Sequence, residues 1–216
     1  MTTILALDLA TVTGFARGDV ARPMPTPIAG SIRFGKTGAS DNAVFAHCMS
    51  WISELLEPQP RPDFIAIEAM LPPGAMVGAT TREVRDRLAG LHGIVRAVAH
   101  LRGIDRIEAY RVGDVRAHFI GERGLKRDAA KRAVMYRCAQ LGWQAPDDNA
   151  GDALALWSHA AAQIDPNHAL MLSPLFNASL RRSPEHVGRN HLHRTTSMAT
   201  SAKLSFGAAV RVRRIV

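Results

Sequence analysis

The chain opens its first regular element with Ile4-Leu5-Ala6-Leu7-Asp8. Four consecutive apolar residues predict a strand over residues 2–8 that is buried on both faces, as in a sheet with helices on either side. A carboxylate ends this strand, and a turn containing Thr and Gly follows at residues 11–14. A charged side chain at the end of a buried strand indicates a site at that edge of the sheet.

A second stretch repeats the same pattern. Residues 64–67 form a short apolar run, and Glu68 ends it. Ligands of open α/β sheets bind at the carboxyl ends of the parallel strands, so two such strands side by side would place Asp8 and Glu68 at one rim. The sequence therefore predicts that these two carboxylates lie close together.

The remaining periodicity alternates single strands with helices. Beyond about residue 173 the apolar periodicity stops, so we place a domain over residues 1–172 and expect residues 173–216 to form a disordered tail. The expected class is α/β, with a mixed sheet covered on both faces. We predict further strands near 14–20, 28–34 and 105–110, and helices over 41–57, 80–101, 112–120, 127–141 and 149–164.

Acidic residues also begin the last predicted helix. Asp148 and Asn149 precede Asp152 by four and three residues, which places all three on one helical face. Each acidic residue has an ordinary alternative on its own: Asp8 could open a turn, Asp148 could cap a helix, and Glu68 could be a solvated strand end. The combination favours a common site.

Several carboxylates brought together raise each other's pKa unless a cation neutralises them. Hard oxygen ligands without Cys or clustered core His favour Mg²⁺, with Mn²⁺ able to substitute, over zinc. Two such ions about 4 Å apart can activate a water and stabilise the departing oxygen of a phosphodiester. The residues thus indicate phosphodiester hydrolysis and no organic cofactor.

The formal net charge of +8 lies mainly in the tail. Residues 173–216 carry 8 Lys and Arg against 1 acidic residue, whereas residues 1–172 carry 19 against 18. Such a tail could contact phosphates without sequence preference, or it could be a solvated end without a partner.

The cysteine content and the N-terminus favour a cytoplasmic protein. Cys48 and Cys138 lack the spacing of a zinc site or of a secreted scaffold, so we expect two reduced thiols. The first residues lack the pattern of a signal peptide, and no apolar run reaches the roughly 20 residues of a membrane span.

These motifs resemble the RuvC family of Holliday junction endonucleases, over roughly residues 3–164. The family opens with an apolar strand, an Asp and a Thr-Gly pair, and its second acidic motif ends in Ile-Glu. A third segment is similar to residues 110–134. The last motif, Asp-Ala-Leu-Ala, is the most specific. The matching residues are Ile4 to Asp8, Thr13-Gly14, Ile67-Glu68, Arg116, Gly121, Gly124, Lys131 and Asp152-Ala153-Leu154-Ala155.

The resemblance implies a ribonuclease H-like five-stranded mixed sheet and a Mg²⁺-dependent homodimer that cleaves Holliday junctions. It implies a metal site of Asp8, Glu68 and Asp152. Asn149 stands where the family has an Asp or His, and phage-type relatives often read Asp-Asp-Asn here, so Asp148 is our preferred fourth ligand with Asn149 as the alternative.

The resemblance also implies DNA contacts. Lys131 matches a Lys near the scissile phosphate, and Arg116 replaces a Lys that contacts DNA. Leu71 lies near the position of an aromatic residue that wedges into the junction, a role that a leucine can also fill. A basic cluster around the third segment is typical of a backbone-binding surface; it consists of Arg123, Lys126, Arg127, Lys131 and Arg132.

Three other interpretations compete with a junction resolvase. Sugar kinases and actin-like ATPases also begin with a strand, an Asp, a Thr and a Gly, but they need a second phosphate loop and a second domain of similar size. A nuclease of the same fold could act on flaps, forks, other branched DNA or RNA. A catalytically inactive junction-binding module would fit the departures at Leu71 and Asn149, although Asp8, Glu68 and Asp152 argue against it.

Overall fold

The computed structural model describes residues 2–20, 26–57, 59–70 and 81–172 of the 216-residue chain, without the side chain of residue 171. Two sequence-based expectations lie outside these residues. They are the wedge role of Leu71 and the disordered tail at 173–216.

The described residues form one five-stranded mixed sheet. The strands are β1 (Thr2–Asp8), β2 (Val12–Val20), β3 (Ile28–Arg33), β4 (Phe64–Glu68) and β5 (Ile107–Tyr110). Their order in the sheet is β3-β2-β1-β4-β5. β1 and β2 pair antiparallel, as do β2 and β3, whereas β4 and β5 run parallel to β1. The carboxyl ends of three neighbouring strands therefore share one rim.

Helices cover both faces of this sheet. The strand period of two sends Ile4 and Ala6 to one face and Leu5 and Leu7 to the other, and all four are fully buried. The helices are α1 (Asp41–Leu55), α2 (Arg82–Leu101), α3 (Val112–Ile120), α4 (Arg127–Leu141), α5 (Asp148–Ile164) and α6 (Pro166–Leu172). α3, α4 and α5 cover the face of Ile4, while α1 and α2 cover the face of Leu5.

The predicted α/β class with a mixed sheet between helical layers is confirmed, with small differences at the ends of elements. α1 ends two residues before the prediction because the chain turns there, where the Glu57 amide bonds the Glu54 carbonyl at 3.3 Å. β5 begins at Ile107 rather than 105 because the Ile104 amide still bonds the Ala99 carbonyl of α2. α6 was not predicted.

The apolar stripe of α2 belongs to the core. Leu91, Val95 and Val98 are buried among the residues of α1 and the sheet. An apolar stripe on the helix predicted over residues 80–101 suits either the core or a dimer contact, and the buried part of this stripe serves the core.

The two cysteines lie in different layers. Cys48 is buried with α1 on one face of the sheet, and Cys138 is buried with α4 on the other. Both thiols are unpaired, as expected. Across the part of the chain that the structure describes, no helix is long and apolar enough to cross a membrane.

Candidate active site

Two carboxylates end neighbouring parallel strands. Leu7 of β1 pairs with Ile67 of β4, so the next residues, Asp8 and Glu68, stand side by side where these strands end. Both side chains are half-buried. The predicted meeting of the two strand ends is therefore present in the structure.

The start of α5 is fixed over the same rim by two contacts. Asp147 caps the helix by accepting the Ala150 amide at 2.9 Å, and its second oxygen accepts the hydroxyl of Ser31 in β3. A Cβ on Gly14 of β2 would stand 2.0 Å from the Asn149 carbonyl oxygen, so glycine permits the helix to approach the sheet. The first turns of α5 are thereby held against the strand ends.

This docking brings Asp152 into electrostatic contact with the strand-end carboxylates. Burial, followed by the charge of Asp152, raises the pKa of Asp8 to about 6, against the opposing effect of Lys131 and Arg116. Burial, followed by the charges of Asp8 and Asp152, raises the pKa of Glu68 to about 8. Burial likewise raises the pKa of Asp152. Three carboxylates on three elements thus share one poorly solvated site.

Two cations border the carboxylates from the α3 and α4 side. The Lys131 ammonium of α4 forms an ion pair with Asp148, and this hydrogen bond is the main cause that lowers the pKa of Asp148. Arg116 of α3 lies close enough to lower the pKa of Asp8, Glu68 and Asp152. Its buried Nε has no hydrogen-bond partner among the described residues. An anion at the rim could accept a hydrogen bond from that Nε.

The donor set suits a hard divalent cation in chemistry and in charge. Asp8, Glu68 and Asp152 supply oxygen ligands only, and burial together with neighbouring negative charge raises their pKa values, which a bound cation would oppose. Within the described ranges, no group of three or more acidic, His or Cys side chains already stands at coordination spacing. Binding of a metal ion would therefore require these side chains to move closer together.

The two alternatives for a fourth ligand occupy different surroundings. The Asp148 charge raises the pKa of both Asp8 and Asp152, so Asp148 lies within electrostatic reach of the cluster. Asn149 presents its backbone carbonyl to Gly14. Asp148 is thus the residue whose charge reaches the other carboxylates.

The predicted basic cluster lies around the start of α4. We call Arg123, Lys126, Arg127, Lys131 and Arg132 the α4 basic surface. Lys131 is the member turned toward the carboxylates, with a side chain that is 20% exposed, and Arg127 also lowers the pKa of Asp152. Arg123 pairs with Asp114 at 3.2 Å, and Lys126, Arg127 and Arg132 are exposed.

Sequence reasoning missed the residues that position α5. Asp147 carried the ordinary signal of a helix cap, an Asp directly before a helical pattern. Its partner Ser31 lies 116 residues earlier in the chain, and no local pattern links the two. Gly14 stands out in the sequence only as part of a Thr-Gly pair, because the close approach of α5 arises from the tertiary fold.

No protein-family model matches this chain, and no curated protein matches it. Several solved structures, in contrast, are similar to this chain. Thermus thermophilus RuvC in complex with a Holliday junction substrate is 15% identical with a TM-score of 0.60, over 78% of this chain and 98% of that one. A second Thermus thermophilus RuvC structure is 18% identical with a TM-score of 0.57, over 76% and 96%.

The yeast mitochondrial Holliday junction resolvase Ydc2 is also similar, at 10% identity and a TM-score of 0.52, over 82% of this chain and 83% of that one. Identities this low establish similarity of fold alone. The sheet order, the helices on both faces and these neighbours agree with the predicted ribonuclease H-like architecture. The chain has the fold of the RuvC-type Holliday junction resolvases.

Proposed function

We propose that this protein is a magnesium-dependent, structure-selective endonuclease that cleaves Holliday junctions. One observation supports the proposal above the others: half-buried carboxylates from β1, β4 and α5 share one rim, where burial and then neighbouring negative charges raise the pKa of Asp8 and Glu68. Such a cluster is unfavourable by itself and becomes favourable when a divalent cation joins it. The RuvC fold supports the choice of a branched DNA substrate, since one similar structure contains a Holliday junction.

Asp8, Glu68 and Asp152 would hold the metal, with Asp148 as the preferred fourth ligand and Asn149 as the alternative. When bound, a pair of Mg²⁺ or Mn²⁺ ions would supply a nucleophilic water and stabilise the leaving oxygen of the phosphodiester. The protein's own part is to keep these carboxylates together in a poorly solvated place. The close approach of α5 at Gly14 supports that role.

Lys131 and Arg116 would bind the phosphate that is cut. The Lys131 ammonium can exchange Asp148 for a phosphate oxygen once a metal neutralises the carboxylates. The unpartnered Nε of Arg116 offers a hydrogen bond to a second oxygen. These two side chains would orient the phosphate, so we count Lys131 among the catalytic residues.

The rest of the α4 basic surface would hold the DNA backbone. Lys126, which precedes α4, makes no side-chain cap, and Arg127 follows it. Cations at the start of a helix oppose its dipole, and they become favourable when an anion binds there. Arg123, Lys126, Arg127 and Arg132 would therefore contact phosphates without reading sequence.

We expect a homodimer in the cytoplasm. Two identical sites related by a two-fold axis could cut opposite strands of a four-way junction symmetrically. Sedimentation of the full chain with and without junction DNA would measure this state. A monomer in both conditions would contradict the proposed dimer and leave the metal-site assignment unchanged.

The test of the chemistry compares Asp8→Asn with Asp105→Asn on a labelled four-way junction, in Mg²⁺ and in EDTA. Asp105 is an exposed carboxylate that pairs with His100 before β5, remote from the rim. Wild type and Asp105→Asn should cut in Mg²⁺ only, whereas Asp8→Asn should bind the junction and cut at least about 100-fold more slowly. Unchanged cutting by Asp8→Asn would overturn the assignment.

A further inference from the structure

A small cavity opens beside Glu68 on the side of the sheet that α1 and α2 cover. Its volume is about 140 Å³, and its walls come from the ends of β1 and β4 and from α2. That space admits one ring system and is too small for a whole nucleotide. Leu9, Met70 and Leu88 give it an apolar lining, and Arg85 and His92 add polar groups.

Two of the polar side chains in this cavity, Arg85 and His92, have no assigned partner. Arg85, Leu88 and His92 stand at positions i, i+3 and i+7 of α2, so they share one face of the helix. Neighbouring arginines of α2 are engaged: Arg82 pairs with Asp86 and Arg87 pairs with Asp41. Within the described part of the chain, the Arg85 and His92 side chains make no hydrogen bond and no ion pair.

The cavity and the phosphate-binding cations lie on opposite sides of the carboxylates. Arg116 and Lys131 approach from the α3 and α4 layer, whereas Arg85 and His92 belong to α2 in the other layer. Glu68 both ends β4 at the metal rim and lines the cavity. A nucleotide whose phosphate sits at the rim would therefore have its base within reach of the α2 side.

We propose that this cavity binds a base next to the cleaved phosphate, and that Arg85 together with His92 determines which base is accepted. This inference rests on the proposed nuclease function. The apolar lining would contact the face of an unstacked base, a contact that tolerates any base. The Arg85 guanidinium would bond the base edge, as guanidinium does with the paired acceptors of guanine. Arg85 and His92 are then specificity-determining residues.

The experiment maps the cut positions of the full-length protein on four-way junctions whose central base pairs are randomised, in Mg²⁺. Wild type is compared with Arg85→Ala, with His92→Ala, and with Leu88→Trp, which fills the cavity. Arg82→Ala is the matched control, since Arg82 is an exposed arginine of the same helix. Thermal unfolding and junction binding are measured for every variant.

Wild type and Arg82→Ala should share a base preference at one position beside the cut. Arg85→Ala and Leu88→Trp should reduce this preference roughly tenfold, within the range expected for one base contact, while the variants stay folded and bind the junction. His92→Ala should reduce it by a smaller factor.

Cutting by wild type without any preference, or an unchanged preference in Arg85→Ala and Leu88→Trp, would overturn the inference and leave the nuclease assignment intact. The latter outcome would assign the cavity to another occupant, such as an apolar residue of the segment 71–80. Failure of wild type to cut any junction would instead overturn the proposed function itself.

Discussion

Gly14 decides at the level of a single residue whether α5 can reach the sheet. A methyl group there would meet the Asn149 carbonyl at 2.0 Å, and a backbone atom cannot move aside as a side chain can. We expect Gly14→Ala to destabilise the protein by about 1–3 kcal/mol or more and to abolish cleavage. Urea unfolding and a junction cleavage assay measure the two effects.

Gly93→Ala is the control for this substitution. Gly93 lies in α2, and a Cβ there would meet no atom within 4 Å. Alanine is favoured over glycine inside a helix, so this variant should be more stable by about 0.5–1 kcal/mol with cleavage unchanged. Equal effects at positions 14 and 93 would contradict the close approach of α5.

Glu68 should make stability depend on pH in the absence of metal. Its folded pKa is raised to about 8, whereas an ordinary Glu has 4.5. Between these values the unfolded chain releases the proton and the folded chain keeps it, so stability falls as pH rises through this window. Below about pH 4.5 Glu68 is protonated in both the folded and the unfolded chain, so it no longer lowers the free energy of unfolding.

Glu68→Gln should therefore raise the melting temperature in EDTA at pH 8.5 by several degrees and leave it nearly unchanged at pH 4, while cleavage in Mg²⁺ is lost. One pKa unit corresponds to about 1.4 kcal/mol, and 1 kcal/mol shifts the Tm of a chain this long by about 2–4 °C, so the full pKa shift would give more than about 10 °C. Partial solvation of the Glu68 side chain screens the interaction and reduces the expected shift to several degrees. Calorimetry at the two pH values measures it. A lower Tm for Glu68→Gln at pH 8.5 would contradict the raised pKa.

The residues that could be predicted are those whose role follows from local pattern. Asp8 and Glu68 each end a short buried strand, and parallel pairing of two such strands fixes their proximity. Asp152 could be placed by helical spacing and by the resemblance. The contact of Ser31 with Asp147 and the pairing of Lys131 with Asp148 join distant parts of the chain, so only the folded structure reveals them.

Among the helices, α4 presents two kinds of cation with different expected effects. Lys131 faces the carboxylates and Arg127 faces solvent. Lys131→Gln should slow cleavage about 100-fold with little loss of junction affinity, because Lys131 acts at the reacting phosphate. Arg127→Gln should weaken junction binding, with a smaller effect on the cleavage step. The slope of the logarithm of the binding constant against the logarithm of the salt concentration should become shallower by about 1.

Single-turnover cleavage and binding titrations over a range of salt concentrations separate these effects. The same loss of affinity in both variants, with no difference in the cleavage step, would contradict the separate roles.

The bounds of the helices and strands were predictable where apolar periodicity was long. α3 and α4 have the predicted ends, whereas α6 is a seven-residue helix too short to show a period. The face formed by Arg85 and His92 was visible in the spacing of α2. The spacing alone does not mark this face as a binding site, because polar residues on a surface helix are ordinarily solvated.

For the whole chain, we expect residues 1–172 to contain the nuclease and residues 173–216 to add affinity for DNA. A chain that ends at Leu172 should retain Mg²⁺-dependent cleavage of the junction at low salt. Its affinity should depend less steeply on salt, because the removed segment contains 8 Lys and Arg. Loss of cleavage at low salt together with normal folding would contradict this division.

A substrate comparison tests whether the rim carboxylates form a metal site that cuts junctions. Labelled four-way junction, flap and linear duplex DNA are incubated with wild type or Asp8→Asn, in Mg²⁺ or EDTA. Wild type should nick the junction symmetrically in Mg²⁺ alone. Cutting of flaps or duplex would keep the chemistry and change the substrate. Binding of the junction with no divalent-dependent cutting of any substrate would overturn the nuclease assignment and identify a binding module.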